Sequence, residues 1–142
     1  MATARESANY TLYHTDKYLV RADLEGGRIV PLPFEVTIVS AAADGDTYKL
    51  TVIPANARVV GLEFTTESSG ASAGVTAEIG DSGSAARYMA ATTVYTVNTH
   101  GTLAIAGAGY TPTADTVVLL TFAGAPTVAT VMKGCLFVVP GA

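Results

Sequence analysis

Residues 53–88 read IPANARVVGLEFTTESSGASAGVTAEIGDSGSAARY and hold two patterned strands, a small-residue loop and a tight turn in one unit. Pro54 lacks an amide donor and ends the strand before it, while Asn56 closes a turn through its own side chain. From there Val60, Leu62 and Phe64 alternate with Val59, Gly61, Glu63 and Thr65, which predicts a strand with an apolar inner face and a charged outer one. After the Ser/Gly/Ala loop, Val75, Ala77 and Ile79 alternate with Thr76 and Glu78, and Gly80-Asp81-Ser82-Gly83 turns the chain back. A period of two on both sides of short turns is the pattern of a sheet protein.

The same pattern extends upstream. Asp44-Gly45 stands between two alternating runs over residues 35–53 and predicts a hairpin closed by a two-residue type I′ turn. That register sets Ala43 against Asp46, Ala41 against Tyr48, Val39 against Leu50 and Thr37 against Val52 on the core face. Ile38 and Ser40 fall on the outer face, opposite Thr51 and Lys49. Farther back, Pro31 and Pro33 force an extended segment. Residues 1–16 are small and polar, with Tyr10, Leu12 and Tyr13 as their large apolar groups beyond Met1, and are expected to form an arm whose tyrosines anchor on a partner.

Downstream, residues 117–122 form an apolar run of strand length interrupted by Thr121, expected to be covered on both faces. Residues 128–139 give a last long strand with Gly134 as a bulge or crossing point. About eight strands at sandwich spacing, and no helical period of useful length, predict an all-β fold. A single β-sandwich of antiparallel strands is expected over residues 17–142, preceded by the arm at 1–16. The expected core is Val39, Leu50, Val52, Val60, Leu62, Phe64, Ile79, Leu119 or Leu120, and Phe137.

With 142 residues the chain makes one domain that buries a core of its own. Hydrophobic residues make up 49% and charged ones 14%, the latter well below the soluble-domain norm, and mean hydropathy is +0.38. Such a surface suits a protein covered by partners in an assembly. Among the acidic and basic residues only Asp115 and Lys133 lie beyond Tyr88, so that segment is either central to the sandwich or buried between subunits. Leu103, Ile105, Val128 and Met132 are its candidate subunit contacts, in a homo-oligomer with a dimer ahead of a trimer. A net charge of −4 without a Lys/Arg cluster speaks against nucleic acid as a partner. No run reaches the length of a membrane helix, and the start of the chain has no apolar targeting segment. A soluble, cytoplasmically made product without a membrane partner is expected.

No catalytic motif is complete in the sequence. Gly80-Asp81-Ser82-Gly83 resembles the nucleophile motif of chymotrypsin-like proteases, but His14 lies in the arm, His100 follows the serine, and Ser84 stands where that family has its next glycine. Asp44 and Asp46 lack the further oxygen ligands of a calcium loop. Two distant histidines and the lone Cys135 give no zinc spacing, and Cys135 reads as a small buried hydrophobe. Glu63 and Glu78 fall on solvent faces and make no glycosidase pair. No enzyme activity, metal or cofactor is expected.

The order IPANARVVGLEF, then a Gly/Ser/Ala loop, then GVTAEIGDSGSAARY resembles small virion proteins of tailed bacteriophages, in particular head decoration or cement proteins of the jelly-roll type. The resemblance implies a structural subunit that docks on the outer surface of the major capsid protein shell and stabilises it, placed on the virion surface. A phage tail or receptor- and glycan-binding sandwich is the other reading; with 7 Tyr, 4 Phe and no Trp, its stacking platform is weak.

Overall fold

The computed structural model describes residues 4–6, 28–38, 43–66, 75–94, 100–125 and 129–141. These form strands β1 (Ala4–Glu6), β2 (Val30–Ile38), β3 (Thr47–Ile53), β4 (Arg58–Thr66) and β5 (Thr76–Asp81). They continue as β6 (Ser84–Thr93), β7 (His100–Thr102), β8 (Thr116–Ala123) and β9 (Thr130–Val139), with a 3₁₀ turn at Ile105–Gly107. Two sheets result, ordered β1-β3-β8-β5-β6 and β2-β9-β4-β7. Every pairing is antiparallel except that of β1, which adds in parallel to the edge of β3. From β2 to β9 the chain passes back and forth between the sheets, leaving few neighbours in sequence as neighbours in space. The strand pattern predicts the sandwich, and this strand order is its jelly-roll form, the one the resemblance implies.

The expected hairpin over residues 35–53 does not form. β2 pairs with β9 in one sheet and β3 with β8 in the other, so the intervening segment bridges the two layers. Its inner face on β2 has the opposite phase: Val30, Leu32, Phe34, Val36 and Ile38 are buried while Thr37 is exposed. The expected pairings of Val39 and Ala41 lie outside the described residues. Asp44-Gly45 does turn the chain, with the Asp46 amide donating to the Ala43 carbonyl at 3.1 Å. Only Gly45 has positive φ, at 81°, which is the signature of a type II rather than a type I′ turn. Both aspartates serve the local backbone. The Asp46 carboxylate accepts from the Ala43 amide and that of Asp44 from the Gly124 amide, the latter at 2.7 Å.

On β4 a bulge between Val59 and Gly61, opposite Val138 and Phe137, shifts the alternation. Val59 is therefore fully buried and Val60 is exposed, a reversal of the expected phase, while Leu62 and Phe64 enter the core as predicted. Phe137 is the second correction, since on β9 the inward set is Met132, Leu136 and Val138, and Phe137 lies half-buried on the outer face. The rest of the core agrees with the sequence reading at Leu50, Val52, Ile79 and Leu120, and Tyr48, Tyr88, Met89 and Phe122 complete it. Gly134 is a crossing point, because a Cβ there would strike the Phe34 ring and the Glu63 carbonyl.

The charge-poor chain beyond Tyr88 owes its character to position. β8 runs between β3 and β5, and β9 between β2 and β4, so both are central strands. Neither needs charges to protect an edge. On β8, Val118, Leu120 and Phe122 are buried, whereas Val117 and Leu119 are half-buried on the outer face, so the two faces are covered unequally.

Candidate functional site

Antiparallel pairing brings three connections to one end of the sandwich: the turn after β3, the turn after β5 and the long loop from Leu103 to Asp115. The long loop is stitched to its neighbours by backbone bonds. The Gly109 amide donates to the Val59 carbonyl at 2.8 Å and the Val59 amide to the Tyr110 carbonyl at 2.9 Å, so the loop takes over the edge of β4 where β7 stops. Nearby, the Asn56 amide donates to the Pro112 carbonyl and the Ala55 amide to the Asp115 carboxylate at 2.9 Å. Asn56 adopts φ 64°, the left-handed conformation that Asn tolerates in turns. On the other side the Ala104 amide donates to the Tyr88 carbonyl, fixing the 3₁₀ turn against β6.

A buried carboxylate organises this end. Asp81 closes the β5–β6 turn by accepting from the Gly83 and Ser84 amides at 2.9 and 3.0 Å on one oxygen. Its other oxygen accepts from Arg87 Nε at 2.7 Å and from the Tyr88 hydroxyl at 2.8 Å. Burial pushes the Asp81 carboxyl up, but those four donors outweigh it and hold the group below the usual carboxylate range. Burial and the adjacent Asp81 charge push the Tyr88 phenol well above its ordinary value, so it stays a donor. The Arg87 guanidinium lies 4.1 Å from the centre of the Tyr110 ring, and Tyr110 meets Tyr88 edge-on at 6.1 Å. Asp81 thereby reaches, through Arg87, the loop that carries Ile105.

The sequence-predicted contact residues separate. Ile105 is 96% exposed on the 3₁₀ turn, and Leu103 is half-buried and packs on the core. Met132 is fully enclosed within the sandwich and offers nothing to a neighbouring subunit, which corrects its expected place. Tyr10, Leu12, Tyr13 and Val128 lie outside the described residues. The Asp81 cluster was missed because the Gly-Asp-Ser-Gly string reads as a turn; the Arg and Tyr six and seven residues later were its available signal. Cys135 is half-buried, and burial, relieved in part by the Leu32 backbone and reinforced by the Glu63 charge, raises its thiol above the ordinary range. It borders a shallow groove of about 220 Å³ lined by Glu63, Phe64, Thr65, Lys133 and Gly134 on the outer face of the four-stranded sheet. Among the described residues no group of three or more His, Cys, Asp or Glu side chains could hold a metal, and no helix is long and apolar enough to cross a membrane.

Solved structures of phage capsids contain chains of this fold. A chain of the cyanophage Pam1 capsid asymmetric unit superposes with a TM-score of 0.66 at 23% identity, over 82% of this chain and 88% of that one. One in the capsid of Ralstonia phage GP4 gives 0.67 at 22% identity, over 82% and 86%. One in the acidic stable capsid of Helicobacter pylori bacteriophage KHP30 gives 0.57 at 18% identity, over 80% and 94%. At these identities the likeness is one of fold. No protein-family model matches the chain, and no curated protein does.

Proposed function

We propose that the chain is a virion structural protein of a tailed bacteriophage that seats on the outer surface of the major capsid protein shell and stabilises it, as a decoration or cement subunit. The observation that carries this reading is that the three similar chains named above come from phage capsid structures and are themselves spanned over most of their length. The low charge content suits a structural role within an assembly. A sugar-binding sandwich is less well supported. Phe34, Tyr48, Phe64, Tyr88 and Phe122 are buried, Tyr110 is covered by Arg87, and Phe137 stands half-buried by itself on the outer face of β9, so the described residues offer no exposed aromatic row. Self-association, dimer ahead of trimer, belongs to the same proposal and is read by light scattering at micromolar concentration.

The test is co-sedimentation of the purified protein with heads and with tails of the source phage after its removal. Saturable binding to heads, together with a higher temperature of genome release, is the expected result. Binding to tails alone, or binding to heads without any stabilisation, would overturn the proposal.

A further inference from the structure

The large apolar side chains that stand exposed among the described residues gather at one end of the sandwich: Ile29 at 62%, Val60 at 38% and Ile105 at 96%. The topology is responsible. β2 and β4 both start at this end, so Ile29 immediately precedes the first and Val60 sits at the bulge near the start of the second. Ile105 rides the long loop that crosses between the sheets there. Around it Ala106, Ala108 and Gly109 are also exposed, and residues 101–114 carry no acidic or basic side chain. Removing a fully solvated isoleucine from water is favourable, and a loop fixed by backbone bonds and by the Arg87–Tyr110 contact loses little freedom when it docks.

Among the described residues this end carries Arg28, Arg58 and Arg87 against Asp81 and Asp115, whereas the whole chain has a net charge of −4. Arg28 and Arg58 are exposed, and neither joins an ion pair among the described residues. Of the described acids at this end, Asp81 is buried against Arg87, Tyr88 and two amides, while Asp115 accepts from the Ala55 amide and stays exposed. Apolar side chains flanked by arginines are the composition of an interface.

We propose that this end, with Ile105 as its central anchor and Arg28 and Arg58 as its rim, is the surface that docks on the shell, and that the partner presents an apolar depression bordered by carboxylates. The inference rests on the shell-binding reading. A second copy of this chain fits the surface poorly. A two-fold contact would place the same arginines on both sides. A shell is an unlike surface, so it is free to present carboxylates to them.

The experiment measures saturation of stripped heads by the wild type, by Ile105→Glu, by the double variant Arg28→Glu/Arg58→Glu, and by Thr37→Glu, which alters an exposed site on the outer face of β2. Circular dichroism and thermal midpoints establish that each variant is folded. Ile105→Glu is expected to weaken binding about tenfold or more. The arginine reversal should weaken it comparably and flatten its salt dependence, with Thr37→Glu matching the wild type. Wild-type saturation by both end variants, loss confined to Thr37→Glu, or an Ile105→Glu variant that binds heads normally but dissociates an oligomer would each overturn the assignment. If the wild type itself does not bind heads, the shell-binding reading fails and this surface falls with it; if the wild type binds and the end variants bind equally, only the surface is wrong.

Discussion

Phe64 and Asp81 show how single side chains set the behaviour of this sandwich. Phe64 is 1% exposed, so truncation to alanine removes a full set of core contacts and leaves a cavity. A loss of about 3–5 kcal/mol is expected in urea unfolding, and an unchanged midpoint would show that the ring is not enclosed. Asp81 contributes through its charge. Because its carboxyl is held below the usual range when folded, the unfolded chain takes up a proton first as the medium is acidified. The Asp81 contribution is therefore complete above the ordinary carboxyl range, near pH 4, and fades as pH drops through the lowered folded value. Asp81→Asn should cost about 1–3 kcal/mol at neutral pH, since Arg87 and the buried Tyr88 hydroxyl lose a charged acceptor. The gap between variant and wild type should narrow below about pH 4. A gap that stays constant from neutral pH down to the acid limit of folding would contradict the account. Phe64 was legible from its alternation with Glu63 and Thr65. The Asp81 role was not, because it depends on a hydroxyl and a guanidinium that fold back from the next strand.

Among the elements, the β5–β6 connection gives the sharpest contrast between two glycines. A Cβ on Gly80 would collide with the backbone of Ser84 and Ala85, which cannot withdraw without breaking the strand pair. At Gly83 a Cβ would meet only the movable end of Arg87 and an Asp81 oxygen, at 3.0 and 3.3 Å. Gly80→Ala should therefore lower the thermal midpoint by several degrees, and Gly83→Ala should shift it little. Equal effects would show that the turn geometry is wrong. Strand existence was largely readable here, since the turns at Asp44-Gly45, Pro54–Ala57 and Gly80–Gly83 all occur. Pairing was not. An Asp-Gly dipeptide between two alternating runs suits a hairpin, yet in a jelly roll the same turn ends a crossing between layers, a choice made by the distant β8 and β9. Phase suffered for the same reason. The bulge at Val59–Gly61 exchanges Val59 for Val60, and nothing in two adjacent valines announces which one turns inward.

For the molecule as a whole, the neutral chain beyond Tyr88 left two readings open, central or shared between subunits, and its strands β8 and β9 stand centrally in their sheets. Of residues 1–16 the described ones, Ala4–Glu6, add to the edge of β3, and the segment is proposed to serve docking more than the fold. Deleting residues 1–16 should leave the thermal midpoint nearly unchanged while weakening attachment to heads; a marked loss of stability would make the segment part of the fold. Under the proposed docking on a shell, a domain this poor in charge keeps Ile29, Val60 and Ile105 in water only until it is seated. The most direct test of that idea is a cryo-EM reconstruction of stripped heads after saturation with the purified protein. The account predicts added density on the outer shell that fits the two-sheet sandwich, with the Ile105 loop toward the capsid. Heads that gain no density, or density confined to the tail, would contradict it.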